Sequence, residues 1–552
     1  MTTYEEGVED GQRLPPGTVH LVDLDGTIVT KHASGEKDII LVPKPSEDPE
    51  DPLNWTFKRK LLATSCVVVY TIMLAIPSSA VYSVVTPIRA ATGLSLTDIN
   101  NGTGIMFLFY GWGCVIWQPL ALQYGKRPAY LFSLLTNIII LATAPLCTNR
   151  HTYQVNRILL GLFGSPVESL CEISITDIWF AHERPKYLAW YGWSLSLTGK
   201  LAPMLSGFIN VGMGWKWTLW WCAIWNAIAF VYCFFLMEET NYDRKHTAVH
   251  AHEPLTTEMT KVESRSDPGE KSPAKDDSNA TRTVSADVEP AEVVWPRKSY
   301  LQKLGVIDKP RPNRLWDIFI APFKGFTYPA VVYGGLMYGA NNLVWSGTQN
   351  ATAGTVYTKQ YGFSTAGVAA AYAGGVIGTI IGGYYSGKVG RILTVRLARK
   401  NNGISEPEHT LYLFIASMIL VPFSMILYGL GVTYHVHWFG LVFSQTTLAI
   451  NNALCIAAGL NYAIGSYKEL SGGMVVTCVL IRNTMSFAIN YGITPWIEAL
   501  GYRDTYISVA VIGFVYNASL FVMVKYGRKL RELTAARYWR EVQKAKEKGL
   551  SH

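Results

Sequence analysis

Roughly twelve apolar stretches of about twenty residues, each long enough to cross a bilayer core of about 30 Å, follow one another between Leu61 and Val524. Because lipid supplies no hydrogen-bond partners, segments that span it must satisfy their own backbone groups, as helices do. The sequence therefore predicts an all-α membrane protein with 12 transmembrane helices. Any ionisable residue inside a span is then a candidate functional residue.

The distribution of charge divides the chain into five regions. Residues between the sixth and seventh apolar stretches are rich in Lys, Glu, Asp, Ser, Thr and Pro, a composition that predicts disorder. Clusters of Lys and Arg beside the first and last spans predict that both termini are cytosolic. The regions are a cytosolic tail (1–57), an N-terminal six-helix half (58–239), a disordered cytosolic linker (240–315), a C-terminal six-helix half (316–526) and a basic cytosolic tail (527–552).

The apolar stretches also predict the bounds of the spans. In the first half these are residues 61–85, 102–123, 128–148, 152–177, 187–211 and 217–237. In the second half they are residues 322–346, 364–388, 411–433, 436–464, 470–498 and 504–526. Two six-helix halves joined by a long linker are typical of transporters built from related repeats.

Composition and motifs argue against several other classes of protein. The net charge of +8 lies mostly beside the apolar stretches, so the expected partner is the lipid bilayer and not nucleic acid. The 8 Cys lack metal-ligand spacing and no GxxxxGK[ST] loop occurs, so we expect no metal, no cofactor and no ATP-driven mechanism. The DLDGT sequence at residues 23–27 is like a phosphatase loop, but no α/β domain surrounds it. We expect no enzyme activity and no obligate protein partner.

Three short motifs in the first half carry basic or helix-bending residues. The loop after the second span has the sequence QPLALQYGKRP, the fourth span contains RILLGLFG, and the fifth contains APMLSG. These motifs resemble those of the major facilitator superfamily. The resemblance implies two six-helix halves, proton transfer near Arg157 in the fourth span, and a gate that moves between the halves. The predicted gating residues are Lys126, Arg127, Pro203 and Gly207.

Longer motifs narrow this resemblance. The sequences PSEDPEDPLNW at residues 45–55, PVESLCEIS at 166–174 and LARKNNGISEPE at 397–408 are similar to those of the fungal twelve-span drug:proton antiporters. Within that family the chain most resembles the branch that contains the yeast histidinol and polyamine carrier. The resemblance implies proton-coupled movement of a small organic molecule across a fungal membrane. Our preferred interpretation is a plasma-membrane carrier that exports a small organic compound, such as a secondary metabolite or drug, in exchange for protons.

Charged residues inside the spans are the candidates for proton coupling. Arg157, Glu168 and Glu172 are separated by nearly whole helical turns, so they lie on one face of the fourth span. A charge that faces lipid is costly, and this face is therefore expected to point into the bundle. These three are the predicted proton-coupling residues. Lys200 in the fifth span and Arg482 in the eleventh are expected to pair with the carboxylates or to face an anionic substrate.

Polar and aromatic residues within the spans are the candidates for a substrate pocket. Aromatic faces with a few amides suit the capture of amphipathic organic molecules. The predicted substrate-binding residues are Lys200, Trp193, Asn342, Trp345, Asn451, Asn452, Arg482 and Asn483. Two sequons, at Asn101 and Asn350, fall in predicted outer loops and are the expected glycosylation sites.

Two alternatives to export stay open at this point. Paired carboxylates and the branch resemblance favour proton-coupled uptake of organic cations such as polyamines. A membrane sensor that no longer transports is the other alternative, because Leu122 and Gly387 occupy the positions of the family's acidic residue in the two gate loops. Such a sensor would signal through the linker and the tails.

Overall fold

The computed structural model describes residues 8–9, 12–13, 15–20, 32–33, 36–40, 46, 48–180, 183–242, 299–305, 313–401 and 404–547. The DLDGT sequence and most of the predicted linker lie outside the described residues. Within them the fold is a bundle of helices with three short antiparallel ladders, each of two strands. The strands are β1 (Val8–Glu9), β2 (Gln12–Arg13), β3 (Val19–His20), β4 (His32–Ala33), β5 (Glu36–Ile40) and β6 (Ile404–Ser405).

Capping and glycine positions set the ends of the helices in the N-terminal half. In the helix Leu96–Tyr124, the N-cap Ser95 accepts the backbone N–H of Asp98 at its hydroxyl, at 3.0 Å. The same helix ends at Gly125, whose φ is 118°. The helices are α1 (Phe57–Ser79), α2 (Val85–Thr92), α3 (Leu96–Tyr124), α4 (Lys126–Thr143), α5 (Arg150–Gly164), α6 (Pro166–Ile178), α7 (Arg184–Met213) and α8 (Trp215–Leu236).

The C-terminal half continues the bundle after the linker. A short helix, α9 (Tyr300–Lys303), lies near the end of the linker. The helices that follow it are α10 (Leu315–Gly325), α11 (Pro329–Gly339), α12 (Trp345–Lys359), α13 (Thr365–Lys400), α14 (Phe414–Thr433), α15 (Trp438–Ser466), α16 (Ser471–Ala518) and α17 (Leu520–Glu547). A π-helical segment, Ala340–Val344, joins α11 to α12. The predicted boundary between the second half and the basic tail falls inside α17, which is a continuous helix.

Nine helical segments of the described chain are long and apolar enough to cross a membrane. The last of them contains two spans, because α16 folds back at Gly501, whose φ is 75°. Thr505 after this turn donates to the carbonyl of Trp496 before it, at 3.2 Å. The helix α7 and the pair α11 and α12 carry more polar residues but pack among the other spans. The predicted twelve spans in two halves are therefore confirmed.

The predicted bounds of the seventh span, 322–346, are wrong. Residues 315–325 form the separate helix α10, and the chain turns before Pro329 begins the span. The span then continues as far as Lys359, well beyond the predicted end. Its second part is rich in Asn, Ser, Thr and Gly, and these polar residues lower the hydropathy on which the prediction depended.

The two halves contact each other along two pairs of helices, α3 with α16 and α7 with α13. Small residues allow the backbones to approach. A Cβ on Gly111 of α3 would lie 2.7 Å from the Cβ of Asn483, and one on Gly207 of α7 would lie 2.4 Å from the Cβ of Ala369. Glycines at helix contacts are typical of membrane bundles, where close packing replaces the hydrophobic effect.

The N-terminal tail, the ends of the linker and α17 meet at one end of the bundle, which we call the tail side. There β3 pairs with β6, and the fully buried Arg531 of α17 binds the Glu408 carboxylate at 2.6 and 2.9 Å. Arg531 also donates to the carbonyl of Pro16 at 2.5 Å. The N-terminal segment is thereby attached to the C-terminal half.

Candidate functional site

A cluster of charged residues lies between the two halves, inside the spans. Arg482 of α16 forms an ion pair with Glu168 of α6, and both side chains are buried. The guanidinium of Arg482 also donates to the hydroxyl of Tyr338 at 2.6 Å and lies over its ring, 5.0 Å from the centroid. The ion pair predicted for Arg482 is therefore present, and it joins one half to the other.

Glu172 lies one helical turn after Glu168 and is equally buried, with 5% of each side chain exposed. One carboxylate oxygen of Glu172 is buried and accepts no hydrogen bond from the described residues, and the same holds for one oxygen of Glu168. Of the two carboxylates, Arg482 thus pairs directly with Glu168. An ion pair beside a second, unpaired carboxylate can change its net charge by taking up a proton.

The fourth span consists of α5 and α6, which meet at Ser165 and Pro166, and the backbone of Ser165 keeps helical angles of φ −57° and ψ −28°. Proline lacks a backbone N–H and so is tolerated at the start of a helix, where that donor would have no intrahelical partner. Arg157 on α5 lies before this junction, with its guanidinium 4.9 Å from the centroid of the Tyr153 ring. It has no carboxylate partner among the described residues. The predicted set of coupling residues is therefore divided into a carboxylate pair with Arg482 and a separate cation.

A cavity of about 80 Å³ opens between the halves near the middle of the spans. It has room for several water molecules, since about 10–15 Å³ holds one. Lys200 is the charged residue among those that line it. The lining residues are Ser79, Tyr82, Phe107, Leu195, Ser196, Gly199, Lys200, Asn342, Leu343, Ser346, Gly347, Asn350, Asn452, Ser486 and Asn490.

A network of amide and hydroxyl groups forms one wall of this cavity. The Asn452 carbonyl accepts from Asn342 Nδ2 at 3.1 Å and from Ser196 Oγ at 3.2 Å. The Asn452 Nδ2 donates to the backbone carbonyl of Asn342 at 2.8 Å and to Ser346 Oγ at 3.1 Å. Asn342 belongs to the π-helical segment, and such segments commonly occur at functional sites. One asparagine thus joins α7, α15 and both parts of the seventh span.

Three predicted pocket residues, Lys200, Asn342 and Asn452, line the cavity. Arg482 belongs to the charged cluster and does not line the cavity, so its predicted contact with substrate there is not supported.

The other four predicted pocket residues lie elsewhere, because hydropathy does not fix the direction in which a side chain points. Asn451 donates to Asn341 at 3.3 Å, and Asn483 packs on Gly111. Trp345 packs near Tyr516 in the interior of the second half. Trp193 is 42% exposed beside Gly383. The prediction that these four residues line the pocket is corrected.

The structure also corrects the predicted glycosylation sites. Asn350 lies within α12 and faces the cavity, and Asn101 lies within α3 with 6% of its surface exposed. A glycan needs an accessible loop, so neither position fits that role. Asn342, Ser346 and Asn350 recur every four residues on one helical face, and this spacing was the sequence signal for a cavity-lining face.

A family model described as Major Facilitator Superfamily matches residues 67–475, which is more than half of the chain. The chain belongs to the major facilitator superfamily. The fold agrees with this, since the structure of the xylose transporter XylE from E. coli in a partially occluded inward open conformation matches with a TM-score of 0.54. That match covers 85% of this chain and 98% of XylE at 10% identity, so it supports the fold alone.

Fungal transporters are similar to this superfamily member over nearly their whole length. An uncharacterised MFS-type transporter of Schizosaccharomyces pombe is 28% identical, with 95% of this chain and 94% of the relative covered. Protein HOL1 of Saccharomyces cerevisiae is 25% identical over 96% and 97% of the two chains. The MFS transporter cpaT of Aspergillus oryzae is 23% identical over 91% and 95%. The protein is therefore a membrane transporter for small molecules and not an enzyme.

Lys126 and Arg127, two of the predicted gating residues, are both buried at the tail side of the N-terminal half. Lys126 forms an ion pair with Asp177 at the end of α6. Arg127 donates to backbone carbonyls at the end of α8 and after α9, those of Phe234 at 2.7 Å, Met237 at 2.8 Å and Leu304 at 2.5 Å. The loop therefore binds the end of the linker through Arg127.

Glu239 is the last residue of the N-terminal half, directly before the linker, and it supplies an acidic partner for the same loop. Its carboxylate accepts the backbone N–H groups of Lys126 at 3.1 Å and Arg127 at 3.0 Å, at the N-terminus of α4. Burial raises the pKa of Glu239, although these hydrogen bonds oppose the shift. Asp177 and Glu239 thus provide the negative charge that is absent from the loop's own sequence.

The other two predicted gating residues lie in α7. Pro203 is inside this helix and buried. Gly207 packs against Ala369 of α13, so it lies at a contact between the halves. A relative movement of the halves would therefore change the contact between Gly207 and Ala369.

Proposed function

We propose that this transporter couples the export of a small organic compound to the inward movement of protons. The observation that carries the proposal is the ion pair between Arg482 and Glu168, with the unpaired Glu172 beside it. The pair connects the two halves in the interior of the bundle. Its strength depends on whether the carboxylates are ionised, so proton uptake can alter how firmly the halves are held together.

The proposed cycle begins with both carboxylates ionised and attracted to Arg482. A proton that reaches Glu172 or Glu168 reduces the negative charge beside Arg482 and weakens the attraction between the halves. The relative stability of the two access states then changes, because proton binding differs between them. The substrate occupies the central cavity, and it is released on the side opposite to the one from which it entered.

The proposal includes the orientation of the protein in the membrane and the membrane in which it lies. Basic residues are concentrated on the tail side, including Lys58, Arg59 and the basic residues of α17, and positive residues favour the cytosolic side. Both termini and the linker are then cytosolic. The proposed location is the plasma membrane, in keeping with the efflux carriers that the sequence motifs resemble.

Uptake of organic cations is the second candidate, and its support is the resemblance of the sequence motifs to the branch that contains the yeast histidinol and polyamine carrier. The cavity argues against it, because Lys200 lines the cavity and no Asp or Glu is among the described lining residues. The sensor alternative is weakened by Asp177 and Glu239, which supply acidic partners to the gate loop.

Flux measurements in proteoliposomes test the proposal. We would impose a pH gradient on vesicles that contain the purified full chain and follow labelled spermidine, tetraphenylphosphonium and benzoate. We expect accumulation of one class against its own gradient and loss of that accumulation when the pH gradient is collapsed. Glu172→Gln should retain exchange of substrate at equal pH but lose pH-driven accumulation, whereas the exposed control Glu498→Gln should behave as wild type. Full pH-driven accumulation in Glu172→Gln would refute the assignment.

A further inference from the structure

The side chain of Lys200 is 8% exposed and lies at the cavity between the halves. Its aliphatic part packs on α13, where a Cβ at Gly375 would lie 3.0 Å from Lys200 Cδ. The glycine therefore leaves room for the lysine to extend between two helices that belong to different halves. The ammonium group is the part of the side chain that remains to face the cavity.

Lys200 has no counter-charge in the described part of the chain. It takes part in no ion pair or hydrogen bond there, and the lining of the cavity contains no Asp or Glu. Glu168 and Glu172 do not line the cavity, and Glu168 is paired with Arg482. Burial of an ammonium group without a partner has a large desolvation cost. A bound anion would offset this cost.

A second cation adds to the positive character of this region. Arg157 has no carboxylate partner among the described residues, and its Nε atom is buried without a hydrogen bond. It lies within electrostatic range of Tyr82, which lines the cavity. Lys200 at the cavity wall, with Arg157 beyond Tyr82, favours an anion over a cation as the occupant of the cavity.

The remaining lining offers groups that match a carboxylate with an apolar body. The amide of Asn350 faces the cavity and has no hydrogen-bond partner in the described residues, so its N–H groups are available to an anion. Phe107, Leu195 and Leu343 supply apolar surface on other sides. A carboxylate accepts well from an ammonium and an amide together, and charge-assisted bonds of this kind are stronger than neutral ones.

We propose that Lys200 and Asn350 form a binding site for the carboxylate group of the transported compound, which is therefore a small organic acid. The proposal rests on the transport function proposed above, since it names the substrate class of the same cavity. It does not depend on which carboxylate carries the proton.

Ligand-induced stabilisation of the purified full chain tests this site. The probes are benzoate and hexanoate, each compared with its primary amide, together with spermidine; the readout is the melting temperature followed by tryptophan fluorescence. We expect the two acids to raise the melting temperature and the amides and spermidine to leave it unchanged. Lys200→Met should weaken binding of the acids by about tenfold or more, because a charge-assisted hydrogen bond is lost.

Three further variants separate binding from folding. Lys200→Arg should retain binding of the acids, and Lys216→Met, which changes an exposed lysine, should bind as wild type. Asn350→Ala should weaken binding less than Lys200→Met. Without ligand, Lys200→Met should melt at the same temperature as wild type or higher, because a buried unpaired charge is removed. A purely structural lysine would instead lower the melting temperature.

Each outcome decides for or against the site. Equal stabilisation by acids and amides, stabilisation by spermidine, no stabilisation by any acid, or unchanged acid binding in Lys200→Met would overturn the proposal. The proposed function can fail separately. Acid binding that depends on Lys200, without any pH-driven flux in vesicles, would support the site and contradict proton-coupled export.

Discussion

Arg482 and Glu168 form an ion pair that crosses from the C-terminal half to the N-terminal half in the interior of the bundle. The hydroxyl of Tyr338 holds the same guanidinium at 2.6 Å. An arginine can satisfy several acceptors at once because its donors lie in a fixed plane, so it suits a buried contact between moving parts. The pair is both a structural contact and the proposed point of proton control.

The ion pair predicts a strong energetic coupling between its members. Arg482→Met leaves Glu168 buried without a partner, and we expect it to lower the free energy of unfolding by about 3–5 kcal/mol. The double variant Glu168→Gln with Arg482→Met should recover most of this loss, because only Glu172 is left as a charge. Denaturant unfolding in detergent measures these values, with the exposed Arg503→Met as control. A double variant as unstable as Arg482→Met alone would contradict the coupling.

We expect replacement of Asn452 to lower the free energy of unfolding more than replacement of Asn451, because Asn452 makes more hydrogen bonds. Asn452→Ala removes four contacts and leaves buried partners unsatisfied, which should cost about 2–3 kcal/mol. Asn451→Ala removes a single 3.3 Å bond to Asn341 and a contact with Cys455, so it should cost about 1 kcal/mol. Flux should fall in the first variant and stay near wild type in the second. Equal losses in both variants would show that the network around Asn452 has no special role.

Glu50 predicts a dependence of stability on pH at the tail side. It binds Arg59 at 2.7 Å and Lys303 at 3.4 Å, which connects the N-terminal tail to the end of the linker. Burial acts to raise the pKa of Glu50, but the hydrogen bond and charge of Arg59 and the charge of Lys303 outweigh it and lower the pKa below the usual 4.5. A carboxyl group with a lowered pKa stabilises the folded state above its unfolded pKa.

This stabilisation should be lost as the pH falls below about 4.5 and through the lowered pKa of the folded state. We expect Glu50→Gln to cost about 1 kcal/mol at neutral pH, as for other partly exposed ion pairs, and to flatten the fall in melting temperature at low pH. Melting curves of wild type, Glu50→Gln and the control Glu498→Gln measure the difference. A profile for Glu50→Gln that keeps the full acid-dependent fall would contradict the role of this carboxyl group.

Replacement of Gly17 should loosen the contact between the N-terminal segment and the C-terminal half. Its φ is 84°, and a Cβ at this position would lie 2.4 Å from the carbonyl oxygen of Gly465. Gly17→Ala should therefore cost more than about 1 kcal/mol of local stability and release the contact between Pro16 and Arg531. Hydrogen–deuterium exchange at Val19 and His20 should become faster.

Gly93→Ala is the matched control for this substitution. Gly93 also has a positive φ, 73°, but no atom lies within 4 Å of its added Cβ. It carries the backbone strain without the steric contact, so exchange at Val19 should not change. Equal acceleration in both variants would show that a general loss of stability, and not the contact with Gly465, determines the exchange at Val19.

The residue pattern of the spans predicted a good part of the candidate site. Four-residue spacing placed Glu168 and Glu172 on one face, and the cost of charge in lipid turned that face inward. The same reasoning identified Lys200 and Arg482 as candidate partners. It did not determine which of the two pairs with a carboxylate, because the periodicity of a helix does not fix its rotation relative to its neighbours.

By itself, the sequence determined the all-helical membrane fold, the twelve spans in two halves and the small set of charges inside them. Apolar length and hydrogen bonding in lipid decide these features locally. Only the tertiary structure decided that Arg482 pairs with Glu168, while Lys200 lies at the cavity without a charged partner among the residues that the structure describes. It also decided that Asn350 faces this cavity and does not lie in an outer loop. These outcomes depend on contacts between helices far apart in sequence, and close packing at residues such as Gly111 and Gly375 determines which side chains can meet.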